Sequence, residues 1–162
     1  MGLDQSLYRV SKVTKLDLEN WKALSSLSDE EAISYRTAVV QDEFIKVLPS
    51  LQVVAADRVE GYKQYSSLRP YFTEVDLYDY GGSEHLRVYA VNMIEIACWR
   101  NDYELQDAMH TICTQEIKNT GYYLCDEDML VAIKDNLKAA GEEPDFDPEN
   151  WDEEGLFYWE WY

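Results

Sequence analysis

Asp145, Asp147 and Glu149 alternate with other residues beside a proline, a spacing that calcium loops use to aim carboxylates at one ion. The loop pattern is not completed, because Asn150 stands where it needs glycine and Leu156 where it needs a bidentate glutamate. His85, His110 and the three cysteines Cys98, Cys113 and Cys125 have no zinc-ligand spacing. No metal and no cofactor is expected. The nucleophile signatures G-x-S-x-G, Q-A-C-x-G and S-x-x-K are missing from the chain, as are the P-loop and G-x-G-x-x-G. Carboxylates working with His85 or His110 are the acid–base chemistry left, and they define an alternative reading as a small hydrolase or nucleotide-processing enzyme.

The charge is the stronger signal. The 162 residues carry 32 acids and 14 bases, a net charge of −18. Residues 101–162 alone hold 17 acids and 3 bases, and no Lys or Arg follows Lys138. A field of that sign repels nucleic acid and anionic lipid, so neither direct nucleic-acid binding nor membrane binding is expected, and basic surfaces are favoured. The match of Met1-Gly2-x-x-x-Ser6 to an acylation pattern is read as chance, because a single acyl chain needs a basic patch beside it. Nine acids run from Glu142 to Glu160, interleaved with Phe146, Trp151, Phe157, Tyr158 and Trp159 and followed by Trp161 and Tyr162. A merely solvating tail is poor in aromatics, so segment 141–162 is expected to pack or to bind. Its candidate partner-binding residues are Asp145, Asp147, Glu149, Trp151, Asp152, Glu153, Glu154, Trp159, Glu160 and Trp161. On extended backbone, acids at every second residue recur about every 7 Å, close to the phosphate spacing along a nucleic-acid strand. Tryptophan supplies the anchor type most enriched at interface hot spots.

The elements that must position these residues are read from periodicity. Residues 7–13 have the β-branched and aromatic content of a first strand. Asp17 is a cap for a short helix to about 27, and Ser28-x-x-Glu31 is a capping box for a longer one that runs to Pro49. The run 51–68 fits helix or strand equally, and Arg69-Pro70 marks a boundary. Residues 74–80 alternate acid and apolar, Gly81-Gly82 supplies a tight turn, and 85–91 alternate back, which makes a β-hairpin. Asn101 or Asp102 caps a helix carrying Leu105, Met109 and Ile112 towards Lys118, with a possible earlier start near Met93. A short strand at 122–124, a helix capped by Asp126 or Asp128 and closed by Gly141, and a final strand at 156–162 complete the chain. In the plainest reading that final strand closes the core at a sheet edge. The fold class is α+β, a single domain over 1–162 with an antiparallel hairpin or small sheet packed against three to four helices. The N-terminus shows no secretion signal and the cysteines have no disulfide pattern, so the expected location is the cytoplasm.

Met1-Gly2-Leu3-Asp4 with Leu7-Tyr8, the central Glu95-x-x-x-Trp99-Arg100-Asn101 and the closing Phe157-Tyr158-Trp159-x-Trp161 are similar to a loose group of small proteins from phages, prophages and gut bacteria. That group starts MGLDMYLYR and continues W-R-K-A-N-x-I-H in its central helix. The chain departs from it at Gln106, where the group's histidine would fall. The resemblance implies a phage or mobile-element context in a bacterial host cytoplasm and carries no activity with it. Together these readings give a non-enzymatic acidic binding protein. Its expected role is to inhibit a host defence nuclease complex, of anti-CRISPR or anti-restriction type, by occupying the basic surface of a nucleic-acid-binding protein. A homo-oligomeric accessory protein, such as a homodimer, that buries Trp159, Trp161 and Tyr162 against a symmetry mate is a further alternative.

Overall fold

Strand-forming and helix-forming runs follow one another in the order β1 (Asp4–Ser11), β2 (Ile45–Lys46), β3 (Leu51–Ala55), α1 (Ala56–Gly61), a 3-10 helix (Lys63–Tyr71), β4 (Thr73–Tyr78), β5 (His85–Arg100), α2 (Tyr103–Ile112), β6 (Tyr122–Leu124), α3 (Glu127–Ala139), a 3-10 turn (Pro148–Asn150), α4 (Trp151–Glu154) and β7 (Leu156–Trp161). The computed structural model describes residues 2–17, 45–46, 51–78 and 85–162. The architecture is α+β with antiparallel strand pairing, as the sequence reading expects. By contacts the chain falls into two compact units, one made of the N-terminal strand with residues 95–162, the other of the described part of 11–94. Among the described residues no helix is long and apolar enough to cross a membrane.

In the first unit the strand order is β5-β1-β7-β6. β7 pairs with β1 from Asp4↔Trp161 to Arg9↔Leu156, and with β6 from Tyr122↔Trp159 to Leu124↔Phe157. It is therefore an interior strand and not the edge strand of the plainest sequence reading. Leu105 and Met109 recur one turn apart on α2, and Met129, Leu130, Ile133 and Leu137 form the stripe of α3; both stripes are buried with Leu7, Leu156 and Tyr158 in one cluster. Each such side chain stabilises by about 1.5–3 kcal/mol on burial. Asp126 caps α3 by accepting from the Met129 amide at 3.0 Å, and Gly141 takes φ 79° just past the helix end.

The second unit joins β2 to β3, β3 to β5 (Leu51↔Asn92 to Ala55↔Val88) and β4 to β5 (Thr73↔Ala90 to Tyr78↔His85). Val88 and Ala90 thus have a neighbour on each side, and both are buried. The β4–β5 pairing is the hairpin read from alternation, while its turn lies outside the described residues.

The structure corrects several boundaries. Strand β1 begins three residues before the expected 7. The helix cap near Asp17 is Thr14: its hydroxyl accepts from the Asp17 amide, and the Asp17 carboxylate accepts from the Thr14 amide at 2.8 Å. The helix from Ser28 falls outside the described residues, except that Ile45 and Lys46, expected in its last turn, form β2. Pro70 sits inside the 3-10 helix and not at its boundary. No helix starts near Met93, because β5 runs through 16 residues to Arg100 with pairing partners along it. The central stretch 94–101 that resembles a helix start is thus strand up to Arg100. Asn101 then turns the chain with φ 59°, Asp102 caps α2, and α2 stops at Ile112 rather than near Lys118.

Candidate functional site

The acidic segment is built from short local devices. Beyond Gly141 the chain is irregular until Phe146 and Pro148, which are buried and tie it to the first unit. Asp147 caps the 3-10 turn, its Oδ1 accepting from the Glu149 amide at 3.0 Å and its Oδ2 from the Asn150 side chain at 3.0 Å. One helical turn follows, and Gly155 at φ 62° reverses the chain into β7. Arg9 on β1 fastens the segment: its guanidinium donates to the Asp145 carbonyl at 2.7 Å and to Glu154 Oε2 at 3.0 Å. The other oxygen of Glu154 accepts from the Asp147 amide at 3.1 Å.

This geometry sorts the expected site residues. Asp145, Asp147, Glu149, Asp152 and Glu153 are exposed and lie together on the fastened segment. Glu154 is half-buried, and its charge is met by Arg9. Trp151 is turned inward against the core cluster. Trp159 is half-buried, whereas Trp161 is 53 % exposed. Trp161 stands six residues past Gly155 along an extended strand, so about 20 Å of β7 separates it from the turn that closes the acidic segment. The expected row of acids on extended backbone is corrected as well. The 3-10 turn and α4 coil residues 148–154, and a helical residue rises only about 1.5 Å.

Glu160 is the largest correction. It is 0 % exposed, so it contributes nothing to a surface of carboxylates. In β7 it shares parity with Leu156 and Tyr158, the residues that face the core cluster. Its Oε2 accepts from the Tyr158 hydroxyl at 2.8 Å. Its Oε1 accepts from Gln106 at 3.4 Å and lies 2.6 Å from His110 Nε2. Tyr158 in turn accepts from Gln5 Nε2 at 3.0 Å. Burial pushes the Tyr158 phenol well above its usual range, more than the Gln5 contact lowers it. Gln5, Gln106 and Tyr158 were not among the expected site residues. The alternation Leu156, Tyr158, Glu160 held the signal for the burial of Glu160, but nothing local ties it to Gln5 or His110.

Among the described residues no group of three or more His, Cys, Asp or Glu is arranged to hold a metal ion. No family model, curated protein or solved structure matches the chain.

Proposed function

We propose that this chain is an acidic binding protein that places Asp145, Asp147, Glu149, Asp152 and Glu153 on a basic surface that otherwise holds nucleic acid. The observation that carries the reading is the exposure of five carboxylates on one internally fastened segment, in a stretch with no Lys or Arg after Lys138. Because Arg9, Asp147 and Gly155 hold that segment in place before any partner arrives, little ordering entropy is spent on binding. Counter-ions on the partner's Lys and Arg side chains would be released much as they are by a phosphate backbone. The phage and mobile-element context implied by the resemblance makes a host nuclease complex of the defence type the class of partner. The test is capture of the tagged chain's partners from host lysate at low salt, with elution by salt steps and by competing duplex DNA or RNA. A nucleic-acid-handling complex displaced by the competitor and lost in the triple variant Glu149→Lys, Asp152→Lys, Glu153→Lys supports the reading. A complex indifferent to salt, competitor and charge reversal overturns it. Glu154 is left intact in that variant, because its reversal would break the Arg9 contact and confound binding with folding.

A further inference from the structure

The contacts around Glu160 direct the hydrogens of Gln5, Tyr158 and His110 Nε2 in turn. The backbone of Asp102 fixes the side-chain amide of Gln5: the Asp102 N–H donates to Gln5 Oε1 at 3.2 Å, and Gln5 Nε2 donates to the Asp102 carbonyl at 3.1 Å. The second hydrogen of Gln5 Nε2 is then directed at the Tyr158 oxygen, 3.0 Å away. Having accepted there, Tyr158 gives its single hydrogen to Glu160 Oε2 at 2.8 Å. Glu160 Oε1 also receives Gln106, so the carboxylate is an acceptor on both oxygens, and the hydrogen between it and His110 belongs to Nε2. A neutral imidazole with Nε2–H keeps its lone pair on Nδ1. Among the described residues Nδ1 of His110 has no hydrogen-bond partner, and the side chain is 37 % exposed beside a carboxylate that is fully buried.

We infer that His110 is a nucleophilic acyl-acceptor site, its Nδ1 free to attack the carbonyl of a neutral or cationic ester while buried Glu160 holds Nε2–H. A carboxylate in this position selects the tautomer, orients the ring and stabilises the charge that develops on it. The acids Glu104 and Asp107, exposed on the same helix, oppose anionic esters and set the charge class of the substrate. In the first step the Nδ1 lone pair forms a bond to the carbonyl carbon. The ester C–O bond breaks, its electron pair leaves with the alkoxide or phenoxide, and the acylimidazolium that remains keeps its Nε2–H on the Glu160 carboxylate. Water then attacks the acyl carbon and the C–N bond breaks, returning its electron pair to Nδ1. The acid departs with one proton of the water, the ring is left neutral with its hydrogen still on Nε2, and the second proton of the water reaches the leaving group through solvent.

The probe is p-nitrophenyl acetate at pH 8, with nitrophenolate release followed against N-acetylhistidine at equal imidazole concentration. The chain is expected to exceed that reference by about 100-fold, the low end of what positioned proton transfer contributes. The folded Glu160→Gln variant should fall back to the reference rate and His110→Ala below it, while His85→Ala keeps the full rate. A chain no faster than N-acetylhistidine, or a folded Glu160→Gln variant at full rate, overturns the inference. Nitrogen NMR of the unsubstituted protein gives a second readout that does not depend on any variant folding. At pH 8 it should show His110 protonated on Nε2 with Nδ1 bare, and either the opposite tautomer or a ring protonated on both nitrogens would sink the argument.

Discussion

Replacing Gly155 by alanine tests how the acidic segment is joined to the sheet. Gly155 takes φ 62°, where an L side chain costs about 1–2 kcal/mol. A Cβ built there would also lie 2.7 Å from the Val10 carbonyl oxygen, closer than van der Waals contact allows. That oxygen cannot easily retreat, because the Val10 amide donates to the Gly155 carbonyl at 2.8 Å and the neighbouring Arg9 is paired with Leu156 in the β1–β7 ladder. Forcing a methyl group into such a contact adds about 1–3 kcal/mol, so the total is about 2–5 kcal/mol. Gly141→Ala is the control: it has φ 79° but open space around its Cβ, so it should cost only the backbone part. In thermal unfolding followed by circular dichroism, a chain of this size loses about 2–4 °C for each kcal/mol. Gly141→Ala should therefore lower Tm by about 2–8 °C, and Gly155→Ala by a further 2–12 °C or so. Equal losses at the two positions would refute the argument that the β1 carbonyl, and not backbone conformation alone, demands glycine at 155.

Three further outcomes are expected. Asp126→Ala removes the acceptor for the Met129 amide and should lower stability by about 1 kcal/mol in urea titration, with Asp126→Asn recovering most of it. Burial raises the Tyr158 phenol above its unfolded value, so the stability it contributes is whole below about pH 10 and is lost as pH rises towards the folded value. Tyr123 is raised by burial in the same sense, and the urea midpoint should fall between pH 9 and 11 with a shallower slope in Tyr158→Phe. Burial likewise pushes the Cys125 thiol up, while Cys98 is exposed; a disulfide reagent should modify Cys98 in the native protein and reach Cys125 only on unfolding.

Much of the first unit is legible from residues a few positions apart. The stripe of α3, its cap at Asp126 and its stop at Gly141 need only the spacing of side chains within one helix, since each device joins groups three or four residues apart. The same holds for the acid–apolar alternation of β4 and β5. Where two local patterns compete, neighbours in space decide. The sequence places a helix cap at Asn101 or Asp102 and also admits a start near Met93, yet partners on the sheet draw residues 93–100 into one continuous strand. The one-turn helix α4 is too short to show a periodic stripe, and it forms where Gly155 can end it.

Composition and order alone determine that this protein is strongly acidic, that its charge is concentrated after residue 100, and that aromatics share the same segment. Tertiary structure decides what each of those charges does. Glu154 is neutralised by Arg9, 145 residues earlier in the chain, and Glu160 is carried out of solvent to meet His110, 50 residues before it. Sequence distance gives no hint of either contact, because strand pairing brings β1 against β7 and helix packing lays α2 over the same sheet face. A carboxylate's role depends on its solvent and its donors, and for Glu160 both are supplied by elements far away along the chain.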